Sequence, residues 1–209
     1  MKIEFGNTEY YNLNECVSFL KTDEVPFGGL SNMAAKRFPL MVNGLRIDNS
    51  ESLYQACRFP DHPDVQMKIV ENKSPMGAKM TAKSYKNDFT RDDFEIVKIE
   101  IMYWCLKVKL ACNPNSFGGL LEKTGQLNIV EISRRDRFWG TTLDKDDFNK
   151  AKGQNVLGKL LMELRSFYRE NKNTEKIYIV EPLPIENFRF NGMPIKTIRN
   201  SIFLKDRVF

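Results

Sequence analysis

Short apolar stretches bounded by turn residues lie in the first part of the chain. Those at 17–20, 38–42 and 45–47 have the length and composition of β-strands. Asn43-Gly44 separates the last two stretches, and both residues tolerate the positive φ needed at the centre of a two-residue turn. The pattern therefore predicts a β-hairpin over residues 38–47.

Helical periodicity dominates the chain after residue 49. Start signals and apolar spacing predict helices over residues 51–59, 63–72, 75–86, 116–123 and 153–171. A longer helix is predicted from Asp92 or Asp93 to Asn113-Pro114, and its apolar residues lie on nearly every side, which is typical of a central core helix. Further strands are predicted over 128–133 and 177–181. We therefore expect an α+β fold, a helix-dominated single domain over residues 1–209 with a small β-sheet.

Composition narrows the classes of protein that fit. The chain has 209 residues, of which 42% are hydrophobic and 28% are charged, which excludes disordered and fibrous classes. No apolar run approaches the roughly 18 residues that a membrane span requires. The first residues lack the basic-then-apolar pattern of a signal peptide. We therefore expect a cytoplasmic protein that does not associate with a membrane.

Cysteine and histidine usage restricts the chemistry. The chain has 4 cysteines, none in a close pair, and 1 histidine, so no metal site and no cofactor are predicted. The histidine, His62, lies in the turn-forming segment 60–63, and Cys105 and Cys112 fit a helical core pattern. Chemistry is therefore expected from carboxylate, lysine, aromatic and amide groups. The net charge of +5 permits a phosphate-bearing substrate or nucleic acid without requiring one.

One predicted helix carries a polar face with potential for catalysis. Glu51, Tyr54, Gln55 and Arg58 share one side of it. These residues either form a solvated stripe or line a cleft with a carboxylate, a phenol and an amide.

Four other segments have both a structural and a functional interpretation. The glycines in 26–33 are typical of a turn, or of a backbone that approaches a ligand closely. Lys79, in 74–80, is a surface lysine, or is partly buried between Met76 and Met80 with a depressed pKa. The basic segment 130–140 is a charged turn, or a phosphate-binding loop with a tryptophan for stacking. Segment 153–159 is an ordinary helix start with glycines for close packing, or a site where free backbone donors favour a phosphate.

The order of these segments resembles the NADAR family, named for its association with NAD and ADP-ribose metabolism. The resemblance covers roughly residues 26–170 and rests on five motifs. In order along the chain, they are Phe27-Gly-Gly-Leu-Ser-Asn-Met, Ser50-Glu51-x-x-Tyr54-Gln55-Ala56, Ser74-Pro75-x-x-Ala78-Lys79, Glu131-x-Ser133-x-x-Asp136-x-x-Trp139-Gly140 and Gly153-x-Asn155-x-Leu157-Gly158-x-Leu160-Leu161-Met162-x-x-Arg165.

The resemblance implies hydrolysis of an N-glycosidic bond on ribose. One branch of the family degrades ribosylaminopyrimidine phosphates of the riboflavin pathway. Another removes ADP-ribose from guanine in DNA and counteracts a DNA ADP-ribosyltransferase toxin. The Gly-Gly-Leu-Ser-Asn-Met and Cys57-Arg58-Phe59-Pro60 sequences are closer to the second branch. We therefore expect ADP-ribosylated DNA as the substrate, ADP-ribose as the bound moiety and a toxin of this class as the functional partner.

The resemblance also implies roles for individual residues. Glu51 is the carboxylate expected at the anomeric carbon, Asp136 is the second carboxylate, and Lys79 is the amine of an alternative Schiff-base route. Tyr54 and Trp139 would stack on the ligand, while Asn32 and Asn155 would bind ribose hydroxyls or phosphates. The other residues expected to bind the ligand are Phe27, Gly29, Leu30, Ser31, Gln55, Arg135 and Gly140.

Two other functions remain open at the level of sequence. The first alternative is an N-glycosidase of small riboflavin intermediates. The second is a non-catalytic module that senses ADP-ribose or NAD. Basic residues favour DNA, because phosphate contacts make binding strongly salt-dependent. They are Arg134, Arg135, Arg137, Lys196, Arg199, Lys205 and Arg207. Residues 174–209 are predicted to be a C-terminal strand and coil beyond the resemblance, closing one side of a cleft.

Overall fold

The computed structural model describes residues 6–200. Lys205 and Arg207, like the rest of 201–209 and residues 1–5, lie outside the described residues. The α-helices of the described part are α1 (Ser50–Ala56), α2 (Pro63–Val70), α3 (Pro75–Phe89), α4 (Phe94–Cys112), α5 (Pro114–Lys123) and α6 (Val156–Asn171).

The strands are short and form several small sheets. They are β1 (Glu9–Asn12), β2 (Cys16–Phe19), β3 (Leu40–Val42), β4 (Leu45–Ile47), β5 (Asn128–Glu131), β6 (Thr142–Leu143), β7 (Lys150–Gly153), β8 (Ile179–Val180), β9 (Arg189–Phe190), β10 (Met193–Pro194) and β11 (Ile198–Arg199). One sheet has the order β1-β7-β6, and each of the others pairs two strands. The combination confirms the predicted α+β class, in which helix exceeds strand.

The chain divides into two compact units. Of the described residues, the first contains 6–31 and 118–170, and the second contains 32–117 and 171–200. Each is described here by itself, and the expectation of one domain stays a prediction.

The first unit joins antiparallel and parallel pairing. β7 pairs antiparallel with β1 and β6, while β2 and β5 run parallel. Tyr11, Val130, Ile132 and Ala151 form a buried apolar cluster. Because side chains alternate along a strand, the sheet turns Tyr11 and Ala151 inward and leaves Tyr10 and Lys152 on its other face.

The second unit is built around α4. Trp104, Cys105 and Leu106, which are consecutive and so lie on different sides of the helix, are each fully buried. This burial confirms the prediction of a central core helix. The predicted hairpin is also confirmed, with β3 and β4 joined by Asn43 at φ 48° and Gly44 at φ 80°.

Several predicted boundaries are wrong. The helix predicted over 153–171 begins at Val156, because Gly153 is the last residue of β7. The strand predicted over 177–181 is a 3₁₀ turn over Glu175–Tyr178 followed by the two-residue β8. β1, β6 and β7 were not predicted, since each has at most four residues and none contains a run of aliphatic side chains.

Candidate active site

The start of α1 positions Glu51. Asn49 caps this helix, and its side chain accepts a hydrogen bond from the Ser52 N–H at 2.8 Å. Glu51 lies in the first turn of this helix, where the helix dipole stabilises a negative charge. The sequence therefore places a carboxylate at the helix end that favours it.

Glu51, Gln55 and Lys79 lie together in the second unit. The Nε2 of Gln55 donates to Glu51 Oε1 at 2.9 Å, and the Nζ of Lys79 lies 3.8 Å from the same oxygen. The side chain of Glu51 is 9% exposed and that of Lys79 is 48% exposed. The arrangement is a nearly buried carboxylate that can be approached from the side of its lysine neighbour.

Asn32 fixes the position of this helix start. Its backbone carbonyl accepts from the Glu51 N–H at 3.1 Å, and its Oδ1 accepts from Ser50 Oγ at 2.9 Å. Its Nδ2 contacts the Sδ of Met102 at 2.9 Å. Sequence reasoning missed Ser50 and Met102 as partners, because nothing in a local pattern reveals a contact 70 positions away.

Of the two interpretations of Lys79, the structure agrees with a surface lysine and not with one partly buried between methionines. Met76 and Met80 are 57% and 56% exposed, so they provide no apolar cover for the amine. The buried residues of α3 are Ala78 and Ala82, and this small-residue face is the one turned inward. Lys79 therefore reaches Glu51 from the edge of the helix, with its amine accessible to water.

Tyr54 lies on α1 but is buried. Its ring packs against Phe94 with centroids 5.9 Å apart and planes inclined at 48°. Burial raises the pKa of the Tyr54 phenol well above its usual value, so the hydroxyl stays protonated at neutral pH. Stacking of Tyr54 on a ligand stays a prediction.

In the first unit, residues 27–30 form a single 3₁₀ turn. A Cβ on Gly28 would lie 2.6 Å from the carbonyl oxygens of Lys21 and Thr22, so this glycine permits a close approach within the chain itself. Predicted ligand contacts from this turn remain predictions. Of the residues involved, Gly29, Leu30 and Ser31 are buried and Phe27 is half-buried.

Asp136 organises the basic loop. Its Oδ1 accepts hydrogen bonds from the backbone N–H groups of Phe138 and Trp139, each at 2.9 Å. Ser133 Oγ accepts from the Asp136 N–H at 3.0 Å. The loop leaves Arg135 exposed and Trp139 half-buried. Asp136 therefore has a structural role that the sequence did not reveal, and its predicted catalytic role stays a prediction.

Gly140 and Asn155 lie close to β5. A Cβ on Gly140 would lie 2.8 Å from the carbonyl oxygen of Glu131. The fully buried Asn155 donates from Nδ2 to Ile129 O at 2.8 Å and accepts at Oδ1 from the Glu131 N–H at 3.1 Å. Asn155 therefore has a structural role in holding β5, and the ligand contact predicted for it stays a prediction.

Of the two interpretations of segment 153–159, the backbone hydrogen bonds at the start of α6 favour an ordinary helix start. The N–H groups of Val156 and Leu157 donate to the carbonyl oxygens of Phe138 and Trp139 at 3.1 and 2.9 Å. These are the donors that a helix start would otherwise offer to an anion. Pairing with the basic loop satisfies them.

Cys57 and Cys105 are buried in the second unit, and burial raises the pKa of the Cys105 thiol well above its usual value. This supports the core role predicted for Cys105, since a nucleophilic cysteine needs an accessible thiolate. Within residues 6–200, no three His, Cys, Asp or Glu side chains are grouped so as to hold a metal ion. No helix of that part is long and apolar enough to cross a membrane.

Comparison with known proteins identifies the family. The profile of the NADAR domain matches residues 18–169. The chain is 32% identical over 165 residues to the N-glycosidase YbiA of Escherichia coli, covering 79% of this chain and 96% of YbiA. The NMR structure of E. coli YbiA superposes with a TM-score of 0.63 at 29% identity, covering 76% of this chain and 88% of that one.

A plant relative is longer. The chain is 33% identical over 161 residues to the chloroplastic riboflavin biosynthesis protein PYRR of Zea mays, covering 72% of this chain and 25% of the maize protein. The chain thus matches about a quarter of that relative. Because the family profile covers most of the chain and its fold agrees with that of YbiA, the chain belongs to the NADAR family.

Proposed function

We propose that this chain is a hydrolase that cleaves an N-glycosidic bond on ribose. The observation that carries the proposal is the placement of the Glu51 carboxylate, nearly buried and in contact with Gln55 and Lys79. Relatives of similar length are named N-glycosidases, which supports the same chemistry.

The carboxylate of Glu51 suits the charge that develops in this reaction. Breaking the C1′–N bond of a riboside builds positive charge on C1′ and the ring oxygen. A fixed anion in a site with little water stabilises that charge more strongly than water does. The hydrogen bond from Gln55 holds Oε1, so the other oxygen, Oε2, is the one expected to face the sugar or a water molecule.

Lys79 offers a second route through the same pair. Its amine, once neutral, bonds to C1′ as the C1′–N bond to the base breaks, and the base leaves with the proton that the new amine linkage loses. The bond between C1′ and the ring oxygen then opens to give an imine, and water hydrolyses the imine to release the sugar and regenerate the amine. Glu51 lies close enough to accept the proton that the ammonium must lose. Both routes require Glu51, and only the second requires a covalent bond to Lys79.

For the substrate, we propose ADP-ribosylated guanine in DNA. Arg134, Arg135 and Arg137 are exposed on the loop that Asp136 organises, and guanidinium groups bind phosphate oxygens well. This substrate pairs the enzyme functionally with a DNA ADP-ribosyltransferase toxin, whose modification it would remove.

A second candidate substrate is a ribosylaminopyrimidine phosphate. The observation that favours it is the similarity to a protein named for riboflavin biosynthesis. The two substrates share the ribose C1′–N bond and differ in the base and in the attached phosphates, so the same Glu51 would serve either.

The test is incubation of the full chain with each substrate, followed by mass spectrometry of the products. We expect free ADP-ribose and restored guanine from a DNA oligonucleotide bearing ADP-ribosylated guanine. Release of ribose phosphate from the pyrimidine alone would favour the second candidate. Tight ADP-ribose binding by calorimetry without turnover of either substrate would contradict the proposal and indicate a non-catalytic sensor.

A further inference from the structure

The three-stranded sheet of the first unit has one open face. Tyr10 is paired across the sheet with Lys152, and Lys152 with Thr142, so these three side chains share a face. The opposite face contributes Tyr11 and Ala151 to the buried cluster. We call the line of Tyr10, Lys152, Thr142 and the adjoining Arg137 the Tyr10 row.

Contacts within the row link an aromatic ring to two cations. The Nζ of Lys152 lies 4.7 Å from the centroid of the Tyr10 ring. At the other end, Arg137 Nε donates to Thr142 Oγ1 at 2.8 Å. Tyr10 is 70% exposed, so ring surface remains available beside Lys152. Three adjacent strands give the row a span of about 10 Å.

The row has an excess of positive charge. The carboxylate of Glu9 is turned away from it, since it accepts hydrogen bonds from Tyr11 and from Lys159 at 2.8 and 2.5 Å. Asp147 is matched by Lys150, with Nζ and Oδ2 3.0 Å apart. Neither Lys152 nor Arg137 forms an ion pair with any residue between 6 and 200. Two cations without an ion-pair partner therefore lie along the row from the exposed ring, Lys152 beside it and Arg137 at the far end.

We propose that the Tyr10 row binds a single nucleic-acid strand, with a base stacked on Tyr10 and backbone phosphates at Lys152 and Arg137. Proteins bind single strands by combining aromatic platforms with cationic tracks, and the row provides both on a flat sheet surface. The choice of a nucleic acid rather than another polyanion rests on the proposed function. The charge and the exposure of the row are observed independently of that function. An acidic protein segment would use the cations without needing the ring.

The ring is tested by fluorescence anisotropy with an unmodified, labelled single strand of about 12 nucleotides. We expect Tyr10→Ala to weaken binding by roughly tenfold, since removing a stacked aromatic typically has an effect of this size. Tyr10→Phe keeps the stacking surface and should bind like the wild type. Equal affinity of the alanine variant and the wild type would overturn the proposal.

The cations are tested by the salt dependence of the same binding. Lys152→Gln and Arg137→Gln should each reduce the slope of log affinity against log salt by about 0.7, the value for one phosphate contact on a single strand. Lys123→Gln, which removes an exposed charge from α5, is the matched control and should leave the slope unchanged. If all three variants reduce the slope equally, the attraction is nonspecific and the proposed phosphate contacts of the Tyr10 row are contradicted.

Competition and turnover separate the remaining outcomes. Polyglutamate is added as a competitor at the same concentration of charge as the strand. If it displaces the strand from both the wild type and Tyr10→Ala, the row binds an acidic protein partner and the proposal is overturned. Because the binding assay involves no hydrolysis, the proposed function is tested separately. If the chain binds the strand but cleaves no N-riboside, only the proposed function is contradicted. If it cleaves the N-riboside but does not bind the strand, only the proposed role of the Tyr10 row is contradicted.

Discussion

Glu51 Oε1 lies 3.8 Å from the Nζ of Lys79 and accepts a hydrogen bond from Gln55 at 2.9 Å. The three residues come from two helices, α1 and α3, and they meet at the edge of a buried face. A carboxylate in this setting has its orientation fixed by one neighbour and its charge balanced by another. This division of roles leads to separate expectations for each neighbour.

Replacing Gln55 tests whether this residue fixes the orientation of the Glu51 carboxylate. Gln55→Leu keeps the size of the side chain and removes the donor to Glu51 Oε1. We expect a loss in kcat of about 5- to 10-fold, because one hydrogen bond contributes about 1 kcal/mol. Gln55→Glu would place a second negative charge beside Glu51, so it should lower the rate further than Gln55→Leu. Steady-state kinetics with the cleaved substrate measures both rates. If Gln55→Glu is as fast as Gln55→Leu or faster, the proposed effect of the contact between Gln55 and Glu51 is contradicted.

Lys79 distinguishes the two chemical routes. If an imine forms, borohydride added during turnover should attach the sugar to Lys79, and peptide mass spectrometry would locate the adduct. Lys79→Arg retains a positive charge but cannot form the imine. If Lys79→Arg has activity near that of the wild type and no adduct is trapped, the imine route is excluded. The route in which Glu51 stabilises the developing cation then remains.

Asp136 has two possible roles that one pair of variants separates. Asp136→Ala removes the acceptor of two backbone N–H groups, and we expect the free energy of unfolding to fall by about 1–3 kcal/mol. Asp136→Asn keeps Oδ1 as an acceptor and should retain most of that stability. Urea unfolding measures this difference. A rate loss of at least ~10²-fold in the folded Asp136→Asn variant would assign the predicted catalytic role, and an unchanged rate would remove it.

Lys109 predicts a pH dependence of stability. It is fully buried, with Nζ 4.3 Å from the Phe117 ring centroid, and burial lowers the pKa of Lys109 from 10.5 to about 7. The aromatic ring favours the charged form, but the desolvation of the ammonium outweighs it. Between these two pKa values the unfolded chain binds more protons than the folded one, so this residue makes stability rise with pH from about 7 to 10.

The comparison of wild type with Lys109→Met isolates this contribution. Both share every other titrating group, so the difference in their free energies of unfolding should change by up to about 1.4 kcal/mol per pH unit in that window, with the wild type gaining as pH rises. Urea unfolding at pH 7, 8 and 9 measures it. Parallel pH profiles for the two proteins would show that Lys109 keeps its charge in the fold.

Local rules predicted the elements whose stability is local. Asn43-Gly44 specified the hairpin, and the apolar residues of α4 specified a buried helix, because turn geometry and burial are encoded in neighbouring positions. β1 and β7 were missed because half of their residues face solvent and their pairing joins positions about 140 apart. Distant pairing of this kind leaves no local pattern.

The same limit applies to the candidate site. Periodicity placed Glu51 and Gln55 on one side of α1, and the structure joins them by a hydrogen bond. The orientation of Lys79 was not predictable, since it depends on which face of α3 packs inward. The internal use of Asn155 by β5 was also hidden, because an asparagine that binds ligand and one that binds backbone look the same in sequence.

The central claim is that the Glu51 carboxylate supports cleavage at the anomeric carbon. The most direct test is single-turnover cleavage of the N-riboside by Glu51→Gln, which keeps the size of the side chain and removes its charge, with Glu71→Gln on the exposed end of α2 as the matched control. The account predicts a rate at least ~10²-fold below wild type for Glu51→Gln and an unchanged rate for Glu71→Gln. A Glu51→Gln variant that is folded and cleaves at the wild-type rate would contradict it.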